Sequence, residues 1–307
     1  MTAPHTPAPD LRSTRAPAPT FAPDFSLGGR TPVRRLGFGA MRLADGPVPV
    51  PHPSPVWRPP ARRENALRVL RRAVELGVDL VDTADAYALG GNEELVAEAL
   101  HPYPERLLIA TKCGVARPSR DEWVPLGRPE YLRQQAELSL RRLRVDTLGL
   151  LQLHRVDPTV PLADQVGALK QLQDEGKVEH IGLSEVSVRQ IEEASAIAPV
   201  AAVQNQYNVA DRRHDAVVDH CARHGIAFLP FFPMALGEHA RTAGLLGRIA
   251  ERVGATPAQA ALAWLLHRSP TVLPIPGTSS EEHLVENMGA LHVRFEEAQL
   301  RELDTLA

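Results

Sequence analysis

Short apolar runs and amphipathic stretches alternate eight times along this chain, and few architectures accommodate that rhythm. The runs lie at residues 36–43, 78–81, 107–110, 148–153, 178–183, 200–203, 226–232 and 271–275. Apolar residues recur with helical spacing at 64–76, 93–100, 129–143, 162–175, 188–197, 213–224, 257–267 and 281–291. Gly77 and Gly176 supply stop signals, and Pro129 sits in a first turn, where a missing N–H costs nothing. Two further helices are predicted, around 243–253 and at 296–306. Strict alternation calls for parallel strands joined by crossover helices, so the expected fold is α/β, a closed (β/α)8 TIM barrel with extra helices. An open, doubly wound sheet is the architectural alternative. Residues 25–27 and 33–35 flank Gly28-Gly29-Arg30, which predicts an N-terminal β-hairpin plugging the barrel floor. The string Gly37-Phe38-Gly39-Ala40-Met41-Arg42 is no Rossmann fingerprint: its sixth residue is Arg42 rather than Gly, and no helix start follows at once.

Residues 1–24 are dominated by Pro, Ala and Thr. Such a segment buries too little apolar area to offset its ordering entropy, so a disordered tail is expected, with 25–307 as the barrel domain. A chain of 307 residues suffices for one full core, and 44% hydrophobic with 23% charged residues is ordinary for a soluble globular protein. The net charge of −3 leaves no basic footprint for a nucleic acid. No apolar stretch nears the roughly 18 residues that cross a bilayer, and the start lacks the apolar centre of a secretory signal. A cytoplasmic location with no membrane or nucleic-acid partner is expected. Cys113 and Cys221 do not make a disulfide framework, and their spacing suits no metal site, so two reduced thiols and no metal are expected.

Four polar residues stand at the exits of three successive runs. Asp82 follows the second run, Tyr87 rises on the loop beyond it, Lys112 follows the third, and His154 ends the fourth. Parallel barrels place catalytic groups at the carboxyl ends of their strands, so these four could meet in one pocket. The strings VDTADAYALGGNEE, IATKCG and LLQLH, in the order Asp, Tyr, Lys, His, resemble the signature segments of the aldo-keto reductases. The resemblance covers roughly residues 25–306. It implies NAD(P)H-dependent, reversible reduction of an aldehyde or ketone to an alcohol. It further implies Tyr87 as general acid, Lys112 and Asp82 tuning it, and His154 orienting the substrate oxygen. A free phenol titrates near 10. A neighbouring ammonium favours phenolate, so Lys112 is expected to lower that value, with Asp82 holding Lys112 charged.

The resemblance also implies a nicotinamide nucleotide lying extended across the barrel mouth. Ser184 in HIGLSEVS and Gln204 in VQNQYN fall just past the fifth and sixth runs. Both are expected to pair with the nicotinamide carboxamide, which offers one acceptor and two donors. Phe231 is expected to stack on the ring, and Phe232, alternating to the other side, is assigned to the core. Glu185 stands where the family commonly has Asn; a carboxylate cannot donate, so no contact is carried onto it. In IPGTSSEEHLVENMGA, Ser279 and Glu282 fit a capping box, and a helix N-terminus attracts phosphate. The family's phosphate-clamping lysine and arginine positions read here as Gly277 and His283. Gly277, Thr278, Ser279, His283 and Asn287 are the expected contacts around the adenosine phosphate. NADP(H) is the expected cofactor, with NAD(H) possible.

Met41, Trp57, Trp123 and Tyr207 are expected to line the substrate pocket. The Pro-rich insertion 44–63, which carries Trp57, reads either as a partial lid or as a rigid surface loop. Apolar walls around one polar focus suit a small carbonyl compound with a hydrophobic body, handled by a monomer or small homo-oligomer. Two alternatives belong to other classes. The family's potassium-channel-associated members act chiefly as interaction subunits, and a protein of that kind would bind cofactor tightly and turn over slowly. A short-chain dehydrogenase would need a Tyr followed four residues later by Lys, and none of Tyr87, Tyr103, Tyr131 or Tyr207 has that partner.

Overall fold

The computed structural model describes residues 24–44, 56–234 and 244–306. The predicted tail, apart from Asp24, and most of the 44–63 insertion lie outside the described residues. Strands β1 (Asp24–Leu27) and β2 (Thr31–Arg34) form the antiparallel hairpin expected around Gly28-Gly29-Arg30, with Phe25 opposite Val33. Then β3 (Phe38–Gly39), α1 (Arg63–Glu75), β4 (Leu80–Asp82), α2 (Gly91–Leu100) and β5 (Leu108–Cys113) alternate. A small hairpin, β6 (Val115–Ala116) with β7 (Val124–Pro125), interrupts the rhythm before α3 (Pro129–Leu143). Alternation resumes through β8 (Leu148–Leu153), α4 (Leu162–Asp174), β9 (Val178–Ser184), α5 (Val188–Ser195), β10 (Val200–Gln204), α6 (Asp215–His224) and β11 (Ala227–Phe228). Four helices complete the chain: α7 (Leu245–Arg252), α8 (Pro257–Arg268), α9 (Glu281–Met288) and α10 (Glu297–Leu303).

Seven parallel strands run in the order β11-β10-β9-β8-β5-β4-β3. The eighth position is filled by extended chain rather than a regular strand. Leu273 N donates to Phe228 O on one side, while Gly37 N and Gly39 N donate to Pro274 O and Pro276 O on the other. The sheet therefore closes on itself as a barrel. Pro274 and Pro276 face β3 and carry no N–H, so that seam is bonded in one direction only. The predicted first strand, 36–43, shrinks to Phe38–Gly39 because the chain turns at Ala40–Leu43. Close backbone approach sets the two glycines: a Cβ on Gly39 would stand 2.7 Å from Ile275 O, and one on Gly37 2.8 Å from Leu80 O. Pro230 likewise cuts the predicted strand 226–232 to Ala227–Phe228.

Side chains on a barrel strand alternate between lumen and helix layer. Leu80, Leu108, Ala110, Leu150, Ala202, Ala227 and Leu273 point inward and pack on Leu27 and Val33 of the floor hairpin. Val81, Ile109, Leu151, Leu183 and Val203 point outward against helices. In α3, Leu132, Ala136, Leu140 and Leu143 share the face turned to the barrel; each leucine contributes roughly 1.5–3 kcal/mol by leaving water. Counting up the inward positions, Asp82 follows Leu80, Lys112 follows Ala110, Gln152 follows Leu150, and Gln204 follows Ala202. The same parity that fills the floor with leucine places polar groups at the mouth.

Candidate active site

Lys112 is fully buried at the upper end of β5. Its ammonium donates to Asp82 Oδ2 at 2.6 Å and to the Thr83 carbonyl at 2.7 Å, and it reaches the Tyr87 hydroxyl at 3.5 Å. Gln204 Nε2 and Gln152 Nε2 donate to the other carboxylate oxygen, Asp82 Oδ1, at 2.9 and 3.2 Å. The ion pair thus has every short-range partner it needs, the condition under which a buried pair is tolerated. Desolvation alone would lower the Lys112 pKa, but Asp82 and Tyr87 outweigh it and the net direction is up.

Tyr87 starts the turn after β4, where Ala88 and Leu89 hold left-handed φ of 50° and 54°. The Ala88 amide donates to Val56 O at 2.9 Å, tying this turn to the described end of the 44–63 insertion. The ring meets His154 and Trp123 edge-on at 5.8 and 6.4 Å. Burial pushes the phenol up, and the lowering by Lys112 offsets only part of that. The expected net lowering is therefore reversed: desolvation exceeds the ammonium's pull, and the resting group is a neutral phenol. His154 follows β8, its amide bonded to Cys113 O at 2.7 Å. Burial first, then Lys112, Arg155 and Arg117, hold its pKa well below the usual imidazole range. It is a neutral imidazole, and its buried Nδ1 has no partner among the described residues.

These groups face a cavity of about 290 Å³ lined by Met41, Val56, Trp123, Pro125, Phe231 and Phe232 beside Tyr87, His154, Arg155, Ser184 and Gln204. A narrower crevice of about 60 Å³ shares Tyr87, Gln204 and both phenylalanines, and runs towards Arg42, Ile275 and Gly277. Of the four residues expected to line the substrate pocket, Met41 and Trp123 line the larger cavity. Two others do not. Tyr207 is a correction: it is wholly buried, stacks on Trp264 at 5.9 Å, and bonds Asp215 and Arg268 outside the lumen. The chain has left β10 by then, so strand parity no longer governs its direction. Trp57 packs outside the wall, with the Arg117 guanidinium 5.4 Å from its ring and 3.7 Å from that of Trp123; Val56 lines the cavity instead. Phe232 is a further correction, because its φ of 51° breaks alternation and turns it onto the cavity beside Phe231.

Ser184 ends β9, and its hydroxyl accepts from Arg155 Nη1 at 3.1 Å. The Glu185 carboxylate accepts from the Gln206 amide at 2.7 Å, so it braces the loop. At α9 the cap is Ser280, which accepts from the His283 amide, one residue later than the predicted Ser279–Glu282 pair. Ser279 instead offers its carbonyl to Asn65 at 2.7 Å and, with Ser280, Arg62, Glu281 and Glu282, lines a cavity of about 380 Å³. Thr278 is buried, with its hydroxyl accepting from the Ser280 amide, and the His283 side chain is exposed. Asn287 is buried, and its Nδ2 has no partner among the described residues. Gly277 lines the crevice. Gln152, Arg155 and Arg42 escaped the sequence reading; for Gln152 the signal was its inward parity in LLQLH.

Comparison with known proteins agrees with this geometry. The profile of the Aldo/keto reductase family matches residues 35–307. The chain is 42% identical over 289 residues to pyridoxine 4-dehydrogenase of Escherichia coli, covering 92% of this chain and 98% of that protein. It is 41% identical over 273 residues to an uncharacterized oxidoreductase of Schizosaccharomyces pombe, covering 89% and 86%. An aldo/keto reductase of Klebsiella pneumoniae, solved with NADP and acetate, superposes with a TM-score of 0.76 at 26% identity, covering 92% of this chain and 95% of that one. A curled parallel sheet closed by an eighth segment, with Asp82, Tyr87, Lys112 and His154 gathered at its mouth, is thus accompanied by similarity along nearly the whole described chain: the protein belongs to the aldo/keto reductase family.

Proposed function

We propose that the protein is an NADPH-dependent carbonyl reductase acting on a small, flat aldehyde. The observation that carries this reading is the Tyr87 hydroxyl, backed by the Lys112–Asp82 pair and facing one aromatic-walled cavity together with His154. Trp123, Phe231 and Phe232 favour a planar substrate. The pyridoxine 4-dehydrogenase relative makes pyridoxal the first compound to try. The residues also fit a dinucleotide: Asn287 Nδ2 is a buried donor without a partner among the described residues, and Ser184 and Gln204 line the cavity where a carboxamide would be read.

When bound, the dihydronicotinamide supplies hydride to the carbonyl carbon. Tyr87 holds the proton that passes to the carbonyl oxygen, and Lys112, 3.5 Å from the hydroxyl, stabilises the phenolate left behind. Asp82 keeps Lys112 charged, and Gln152 and Gln204 hold Asp82 in place. His154, neutral, offers a ring N–H to the substrate oxygen and fixes its approach to Tyr87. Arg62, Ser279 and Ser280 around one cavity favour a 2′-phosphate and hence NADPH; Glu281 and Glu282 on the same cavity keep the preference over NADH narrow.

The test is NADPH consumption with an aldehyde panel that includes pyridoxal, run on wild type and Tyr87→Phe. The variant is expected to lose about 10²- to 10⁴-fold in kcat while NADPH binding, followed by nucleotide fluorescence, is unchanged. Turnover at the wild-type rate removes the acid assignment. A wild type that binds NADPH tightly yet reduces none of the panel favours the interaction-subunit alternative.

A further inference from the structure

Among the described residues that line the larger cavity, Arg155 alone carries a fixed charge, and no carboxylate stands beside it there. It follows His154 directly and is half-buried. Its Nη1 donates to the His154 carbonyl at 2.6 Å and to the Ser184 hydroxyl at 3.1 Å. Those two bonds occupy both N–H groups of one terminal nitrogen. A guanidinium has five, so the three on Nε and Nη2 are left without a hydrogen-bond or ion-pair partner among the described residues. Neither nitrogen is sealed from solvent.

Arg117, packed on Trp123, is bonded differently. Its Nε, Nη1 and Nη2 donate to the carbonyls of Glu122, Ala86 and Arg120 at 2.8, 3.2 and 2.7 Å, so that guanidinium is saturated by the fold. Glu185, adjacent to Ser184, accepts from the Gln206 amide rather than from Arg155. A cation on an apolar wall without a counter-charge is costly, and an anion entering the cavity offsets that cost. Burial is the largest influence on both His154 and Tyr87, but Arg155 acts on each as well, lowering both pKa values. Its charge therefore reaches the groups that meet the carbonyl.

We propose that Arg155 determines substrate specificity: its Nε–Nη2 edge receives a carboxylate carried on the flat body of the aldehyde, so aromatic aldehyde acids are preferred to their neutral counterparts. Two parallel N–H donors match the two oxygens of a carboxylate, a fit that Lys does not reproduce. The bonds from Nη1 already fix the guanidinium, so little side-chain freedom is lost when the anion arrives. Phe231, its ring centre 6.0 Å from the Arg155 guanidinium carbon, supplies with Trp123 and Phe232 the walls for the aromatic body. This inference rests on the reductase reading given above and names the substrate class of that same site.

The experiment measures NADPH-dependent reduction of meta- and para-formylbenzoate and of their methyl esters by wild type, Arg155→Met and Arg155→Lys, with NADPH binding followed by nucleotide fluorescence. Wild type is expected to favour at least one acid over its ester in kcat/KM. Arg155→Met should lower that acid-to-ester ratio on the order of tenfold or more, chiefly through KM for the acid, with Arg155→Lys intermediate. No acid preference in wild type, or an equal loss for acid and ester in Arg155→Met, overturns the proposal; the second result, with weakened NADPH binding, leaves Arg155 as a brace for Ser184. If Arg155→Met fails to fold, a several-fold fall of the ratio in Arg155→Lys supports the proposal and an unchanged ratio overturns it. Binding of isophthalate against its diamide to the NADPH-loaded protein needs no turnover. If wild type reduces nothing, the reductase reading fails; a preference for isophthalate that Arg155→Met removes still supports the carboxylate subsite, and its absence overturns it.

Discussion

The Lys112 ammonium lies 2.6 Å from the Asp82 carboxylate, and the two side chains are 0% and 4% exposed. Removing the negative member leaves a buried cation uncompensated, a loss of about 3–5 kcal/mol. Asp82→Asn is therefore expected to be markedly less stable in urea melts and to lose about 10²-fold or more in kcat. A variant with wild-type stability would show that the Thr83 carbonyl and the Tyr87 hydroxyl suffice to hold the ammonium.

Asp85 is buried beside Glu93, and neither of its carboxyl oxygens has a partner among the described residues. Burial first, then Glu93, pushes its pKa well above the usual carboxylate range. A folded value above the unfolded one means that the native state holds the proton more tightly. That contribution is complete below the ordinary value of 3.8 and is lost as pH rises through the folded value. Asp85→Asn should be near neutral at pH 4 and stabilising at pH 8, by roughly 1 kcal/mol or more. Urea melts of both proteins at the two pH values check this; an equal difference at both removes it.

Tyr207→Phe is expected to cost about 1–3 kcal/mol, because the part-buried, charged Asp215 and Arg268 lose the hydroxyl they share. Its KM for aldehydes should match the wild type. A raised KM with unchanged melting would return Tyr207 to the pocket wall.

Exposed His283, in the first turn of α9, offers a site for a new cation. His283→Arg should raise NADPH affinity by about tenfold and leave NADH alone, a gain near 1.4 kcal/mol. Paired titrations measure the ratio, and an unmoved ratio places the 2′-phosphate elsewhere.

The architecture was legible in the chain because alternation of period two and of helical spacing survives in nearly every unit. The positions of Asp82, Lys112 and His154 followed from strand ends alone. The electrostatics did not: the sequence shows that Lys112 is close to Tyr87, but the desolvation that outweighs it depends on Trp123 and His154 closing over the ring. Phe232 departs from expectation because parity stops predicting direction once a strand ends, and Tyr207 because an aromatic just past a strand can turn into the helix layer instead of onto the mouth. Arg42 was hidden because residues 36–43 read as continuous strand, whereas the chain turns after Gly39.

The two prolines opposite β3 leave the ring joined there by amides of Gly37 and Gly39 alone, whereas β5 and β8 pair over four successive registers. That thin joint borders the crevice, since Gly39 serves both, and Ile275 and Gly277, which flank Pro276, line the crevice beside it. Local opening of the ring along this seam would break only those two hydrogen bonds, and it would do so at the crevice rather than at the floor.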